Sequence, residues 1–317
     1  APDTIKRNTL DFTPPRITAR RKQPKGTVMK IGPAIVLALL QCAPLMASEP
    51  IDISSRLELM IDRHLIETMS PTLHLQLHKP VRRNVAIVTD EPWEGNACTY
   101  SSFFQDGDRY RMYFGSQQYV NSDGTLLYPH KPFTCYAESR DGIHWSKPKL
   151  GLIEFNGSKQ NNIVLAAESI AEISVDPGHI AVFKDANPHC PPQARYKAVI
   201  RAANAHGLYA LQSRDGLHFS PLSDQLIITD GAFDSQNLAF WDVSRNEYRA
   251  YFRDFQDGIR GIKTATSQDF LKWSDPQCLI FPNAPQEHLY TNQVTPYERA
   301  PHILFGFPMR YTDRGWV

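Results

Sequence analysis

Three acidic residues stand at comparable places in a chain of 317 residues: Glu94 in WEGN, Asp176 in VDPGH and Asp234 in FDSQN. Each sits at the start of a run rich in aromatic and β-branched residues, and a fourth such run is preceded by Glu287 and by YTNQ, Tyr290 to Gln293. If those runs line one axis, their starts converge although they are far apart in sequence. Carboxylates gathered this way suit cleavage of a glycosidic bond. One serves as nucleophile or water-activating base, a second is held protonated as general acid, and a third stabilises an oxocarbenium-like transition state. Turn chemistry offers a competing account, because Asp and Asn favour strand starts for local hydrogen-bonding reasons. The candidate catalytic residues are Glu94, Asp176, Asp234 and Glu287, with Glu138 in CYAES as a further candidate acid. Candidate substrate contacts are Trp93, Asn96, Gln236, Asn237, Tyr290, Asn292, Arg299 and Arg310. Trp93, Tyr100, Tyr119 and Tyr290 could stack on sugar rings, and Arg253, Arg299 and Arg310 could bind a carboxylate or sulfate on a sugar or tie elements together.

The elements that would position these groups are written in a repeat. SRDGIHWS, Ser139 to Ser146, returns as SRDGLHFS from Ser213 and as SQDFLKWS from Ser267. Each copy follows a strand-like run, YRMYF from Tyr110, YKAVI from Tyr196 or YRAYF from Tyr248, and upstream of each lies another run ending in a polar turn. One unit therefore reads strand, turn, strand, strand, corner. In the corner, Ser and Asp side chains can hold backbone N–H groups and Gly142 or Gly216 can take positive φ, which makes Asp141, Asp215 and Asp269 structural. Units of this length with four short strands are the signature of propeller blades. Blades start near Glu94, Asp176, Asp234 and Tyr290, so residues 94–317 read as blades one to four. The fourth stops before its corner phrase, which implies that the last blade or blades are incomplete in this chain. LAAESIAEI from Leu165 is the most helix-like piece.

Ahead of the blades, RLELMIDRHLIE within the lead-in 49–93 is strand-like and could close the ring. Further upstream, Met29-Lys30, the apolar run IGPAIVLALL and the small residues of LMAS have the layout of a secretory signal peptide over 29–48. Residues 1–28 then read as a non-native or mis-assigned leader. The expected location is secreted or periplasmic, and the apolar run is too short for a permanent membrane span. Residues 1–48 hold eight basic and two acidic residues, leaving 26 basic against 31 acidic beyond them. That mildly acidic remainder has no Lys/Arg cluster, which argues against a nucleic-acid partner. Cys98, Cys135, Cys190 and Cys278 fit neither a disulfide scaffold nor a zinc spacing. Asp and carbonyl oxygens would suit a structural calcium, but no loop carries calcium-ligand spacing, so no cofactor is expected.

The corner repeats, FDSQN, YTNQVTPYERAPHILFGFPMRY and the export-like front together resemble secreted bacterial proteins similar to the N-terminal propeller domain of glycoside hydrolase family 32, within the group that includes families 43, 68 and 130. The resemblance covers residues 56–317. It implies an all-β, five-bladed β-propeller that hydrolyses a plant, algal or microbial oligo- or polysaccharide through paired carboxylates. The family's Asn-Asp-Pro-Asn context is replaced by TDEPWEGN and its Arg-Asp-Pro by Phe233-Asp234-Ser235. Only two roles carry over: Asp234 as transition-state stabiliser and Glu94 as acid or base. Two competing readings stay open, a phosphorolytic enzyme using Arg299 and Arg310 to hold phosphate, and a glycan-binding propeller whose carboxylates are salt-bridged to arginine.

Overall fold

The computed structural model describes residues 50–121, 123–125, 130–282 and 284–314. The chain divides into two units, Ala1–Pro50 and Ile51–Val317, and every described strand lies in the second. The expected leader 1–28 and signal segment 29–48 lie outside the described residues.

The first sheet runs β1 (Ala97–Asp106), β2 (Arg109–Gln117), β3 (Phe133–Ser139) and β4 (Trp145–Ser146), with β5 (Ile163–Ala166) also on β3. The second comprises β6 (Val175–Lys184), β7 (Tyr196–Ala202), β8 (Leu208–Ser213) and β9 (Ser220–Pro221). The third comprises β10 (Leu238–Asp242), β11 (Glu247–Gln256), β12 (Ile259–Ser267) and β13 (Gln277–Cys278), and β14 (Thr295–Tyr297) pairs with β15 (Ala300–Phe305). All pairings are antiparallel, in simple up-and-down order. The first strands of successive sheets lie side by side, β6 being next to both β1 and β10. The described fold is therefore all-β, built from repeated antiparallel sheets.

Apolar residues sit between sheets. Tyr113, Val182, Ile200 and Leu211 fill the first junction, and Phe183, Val199, Tyr248, Phe252 and Phe270 the second. The corner phrase closes each junction from below. In each copy the Ser hydroxyl meets the Asp carboxylate, and that carboxylate accepts two backbone N–H groups, at 2.8 Å from both Ile143 and His144 in the first. Gly142 and Gly216 take φ of +72° and +78° there, as the turn requires. The corner of the second sheet docks on the first, where Tyr113 donates to the Gly216 carbonyl at 2.9 Å and Arg111 to that of Asp215 at 2.7 Å.

Residues 165–173 are not helical: Ile163–Ala166 is fully buried against β3, so tertiary pairing overrides helix propensity, and only a 3₁₀ turn, Ala167–Ser169, follows. RLELMIDRHLIE pairs with none of the described strands, and its Leu57, Met60 and Ile61 are exposed. Glu58 of that segment does reach β15, where His302 lies 3.1 Å from its carboxylate. Among the described residues no helix is long and apolar enough to cross a membrane, and the four cysteines are unpaired.

Candidate functional site

Two bulges shape one end of the inner strands. In β1, Thr99 opposes Gly115 and Ser102 opposes Tyr113, so Tyr100 and Ser101 share one partner and Tyr100 adopts φ of +43°. In β6, Asp176 opposes Arg201 and Ile180 opposes Ile200, which extrudes Pro177, Gly178 and His179. Bulges re-aim side chains and gather near functional sites. The second has evident local causes. Asp176 Oδ1 accepts the Gly178 N–H at 3.0 Å, Thr99 donates to the Gly178 carbonyl at 3.2 Å, and Thr134 donates to that of Pro177 at 2.8 Å. Gly115 is required opposite: a Cβ there would meet the Gly178 oxygen at 2.6 Å.

The bulges bring Tyr100 and His179 together, with ring centroids 5.3 Å apart. Asp176 Oδ2 lies 2.9 Å from His179 Nδ1 and accepts Arg201 Nη1 at 2.7 Å. Burial pushes the Asp176 carboxyl pKa up, but His179, Arg201 and the Gly178 N–H outweigh it and hold the group below the ordinary carboxylate range. Asp234 lies in the loop before β10 and is ion-paired with Arg253 of β11; its side chain is 64% exposed while that of Arg253 is 5%. Burial again raises the Asp234 pKa, and the charges of Arg253 and Arg201 bring it down below the usual value. Both acids are ionised at neutral pH.

Tyr290 completes the group. Its backbone carbonyl accepts the Ser235 hydroxyl at 2.7 Å, its ring centroid lies 5.5 Å from the Arg253 guanidinium carbon, and it stacks on Tyr311 at 5.8 Å. Burial, with the neighbouring Tyr290 hydroxyl, pushes the Tyr100 pKa well above the ordinary phenol value, so Tyr100 remains a proton donor. Tyr100, Asp176, His179, Arg201 and Arg253 thus arrive from three successive sheets, joined by Asp234 from the loop before β10 and Tyr290 from the segment before β14. This constellation can hold a polar ligand, ionise a water-activating base and move a proton through a carboxylate-backed imidazole.

The other candidates fall elsewhere. Glu94 is fully buried; it accepts the backbone N–H groups of Asp90 and Glu91 at 3.1 and 3.2 Å, Lys147 at 2.8 Å and Asn162 at 3.2 Å. With those partners and no exposed surface it fixes the loop before β1 instead of meeting a substrate. Trp93 packs beside Phe155 and donates its indole N–H to Asn162, and Asn96 pins the 119–120 backbone. Gln236, Asn237 and Asn292 lace FDSQN to YTNQ: Asn292 donates to the Gln236 carbonyl at 3.0 Å and Gln236 accepts the Gln293 N–H at 3.0 Å. Asn237 donates to the carbonyls of Phe233 and Ser235. Glu287 is paired with Arg310 at 2.7 Å. Arg299 is exposed in the β14–β15 turn beside Glu298, which lines a cavity of about 760 Å³ with Lys184 and Trp241 at the opposite end of the inner strands. Arg299 and Arg310 therefore form no common phosphate pocket. Glu138 also lies away from the site, with Arg109 at 3.3 Å and Tyr136 at 3.1 Å. Tyr119 accepts from Gln117 beside the same loop as Asn96.

Sequence reasoning did not single out His179 and Arg201, which lie beside Asp176. The available signal for His179 was Asp-Pro-Gly inside a strand, which marks a bulge, and Gly115 within an aromatic strand, which marks a close backbone approach. Among the described residues no group of three or more His, Cys, Asp or Glu side chains could hold a metal ion.

No protein-family model matches the chain, and no curated protein does. Several glycoside hydrolases are among the solved structures to which it is similar. A family 117 enzyme from Zobellia galactanivorans is 12% identical at a TM-score of 0.42, over 66% of this chain and 63% of that one. A fructofuranosidase from Schwanniomyces occidentalis complexed with fructosylnystose is 16% identical at 0.41, over 65% and 39%. A glycosyl hydrolase from Bacteroides ovatus is 13% identical at 0.35 over 56% of this chain, which spans half of that protein's length.

Proposed function

We propose that this chain is an exported propeller-type glycoside hydrolase, acting on an oligo- or polysaccharide at the end of the inner strands that carries Tyr100, Asp176, His179, Asp234 and Tyr290. The observation that supports the reading is the convergence of two ionised carboxylates, an imidazole and two tyrosines from two sheets and the segments before β10 and β14. Asp234, the more exposed acid, is the base that meets the attacking water. His179, with Asp176 behind its Nδ1, presents its other ring nitrogen as the proton donor to the leaving oxygen. Arg201 and Arg253 keep both carboxylates charged, and Tyr100 and Tyr290 hold the sugar beside them.

A second reading, glycan binding without cleavage, draws on one observation: both carboxylates are ion-paired to arginine, at 2.7 Å for Asp176 and Arg201. Sugar release from a panel of aryl glycosides and plant and algal polysaccharides, with the wild-type chain and Asp234→Asn, separates the two. Release that falls by about two orders of magnitude or more in a folded Asp234→Asn variant supports the hydrolase. Glycan binding with no release by either protein overturns it in favour of the binding reading.

A further inference from the structure

Among the described residues, Arg260 is a guanidinium without an ion-pair partner, and its buried Nε has no hydrogen-bond partner. It lies at the start of β12, opposite Phe255, and its guanidinium carbon stands 4.1 Å from the Tyr311 ring centroid, 5.4 Å from that of Phe255 and 5.9 Å from that of Tyr290. Arg253 shares two of the same rings, 5.2 Å from Phe255 and 5.5 Å from Tyr290. It is only 4% exposed, gives one nitrogen to Asp234, and its Nε is also unpartnered.

Four acids of the surrounding strands and loops have cations of their own. Asp176 has Arg201, Glu287 has Arg310, and Asp254 and Asp230 both have Lys263. Two guanidiniums thus share the Phe255 and Tyr290 rings, and Asp234 is paired with Arg253. Half-buried like charges repel, and a planar fork with free N–H groups is the usual seat of a carboxylate or sulfate. Phe255, 46% exposed, and Tyr311 beside it supply flat apolar faces for a sugar ring.

We infer that the glycan taken by this site is anionic, carrying a uronate carboxylate or a sulfate ester on the sugar seated over Phe255 and Tyr311, with Arg260 as its main cation and Arg253 as the second. This rests on the glycan-site reading above and names its substrate class. Stacking of Arg260 on Tyr311 for structural reasons alone would give no preference between charged and neutral glycans.

The test is calorimetric binding of the full chain to two matched pairs of oligosaccharides, oligogalacturonate against its carboxyl-reduced form and a sulfated galactan against its desulfated form. The expected result is that the charged member of one pair binds tighter by about tenfold or more, as a hydrogen-bonded charge contact allows. Whichever pair shows the preference identifies the anion. Arg260→Gln abolishes it, added salt weakens it, and Phe255→Ala weakens binding of both members. Arg260→Lys, which keeps the charge without the fork, retains a part and serves if Arg260→Gln does not fold. Equal binding of charged and neutral members, a preference that survives in folded Arg260→Gln, or no binding to either pair overturns the inference. Product release, measured separately, keeps the two readings apart. Charged glycans bound but not cleaved sink the hydrolase and leave the anion site standing, whereas cleavage of neutral glycans alone does the reverse.

Discussion

Tyr100 and His179 face each other with ring centroids 5.3 Å apart, each lifted on a bulge in a neighbouring inner strand. Neither side chain would reach the other from a regular ladder, because a strand alternates its faces strictly. The left-handed φ of Tyr100, +43°, is the conformational cost of that placement. If His179 delivers the proton, His179→Gln leaves glycan affinity nearly intact and lowers kcat by about 10² to 10⁴. An aryl glycoside with a good leaving group, which needs no protonation, loses far less. Steady-state kinetics on the two substrates check this; an equal loss on both would remove His179 from that role.

Arg253 sets when Asp234 protonates. Burial raises the Asp234 pKa, and Arg253 is the largest influence holding it down. Replacing the guanidinium by a neutral amide in Arg253→Gln removes that pull, so the carboxyl takes its proton at a higher pH. The acid limb of kcat/KM is therefore expected to move upward in Arg253→Gln and to stay near its original position in Arg253→Lys. An unmoved limb in the Gln variant would mean that another group governs it.

A charged hydrogen bond clamps the first two sheets at their far end. Asp106 accepts the Tyr196 hydroxyl at 2.6 Å and is ion-paired with Arg111 at 2.6 Å and Lys184 at 2.7 Å. Burial pushes its pKa up, but these partners lower it to about 2. A carboxyl whose folded pKa is depressed contributes stability above its unfolded pKa of about 3.9, and that contribution is lost as pH falls toward the folded value. Denaturation followed between neutral pH and pH values near 2 should show a steep acid loss in the wild type and a flatter one in Asp106→Asn. Tyr196→Phe should cost about 2 kcal/mol at neutral pH, as for loss of a donor to a charged group. The next junction repeats the pairing, Tyr248 donating to Asp185 at 2.7 Å, so Tyr248→Phe should behave alike.

What the sequence discloses follows the range of the interactions. The corners are legible because the side chains of Ser139 and Asp141 make their bonds within three residues. The strands are legible from aromatic and β-branched runs such as YRAYF, which becomes β11. Asp234 and Tyr290 draw notice in the sequence because both precede an inner strand. Glu94 was misleading for a nonlocal reason: the Lys147 that neutralises it lies 53 residues away. Arg201 and Arg260 give no local sign, since their meaning comes from what neighbouring sheets set against them.

The third corner carries an inversion of the usual residue ranking. Phe270 stands where the other two copies have glycine, at φ of +67°, and is completely buried between Phe183, Tyr248 and Trp273 at centroid distances of 5.5, 5.0 and 5.6 Å. The left-handed backbone costs any side chain about 1–2 kcal/mol, and burial of the ring outweighs that strain. Truncation to Phe270→Ala keeps the strain and opens a cavity, for a loss of about 3–5 kcal/mol. Phe270→Gly opens the same cavity but relieves the strain. Where an ordinary extended or helical position makes Gly less stable than Ala, this one should make Phe270→Gly the more stable of the two by about 1 kcal/mol, with both well below the wild type. Chemical denaturation of the three proteins measures the order directly. Ala more stable than Gly would mean that the corner relaxes out of its left-handed turn once the ring is gone, and that the ring, more than the Ser267 and Asp269 hydrogen bonds, sets the turn.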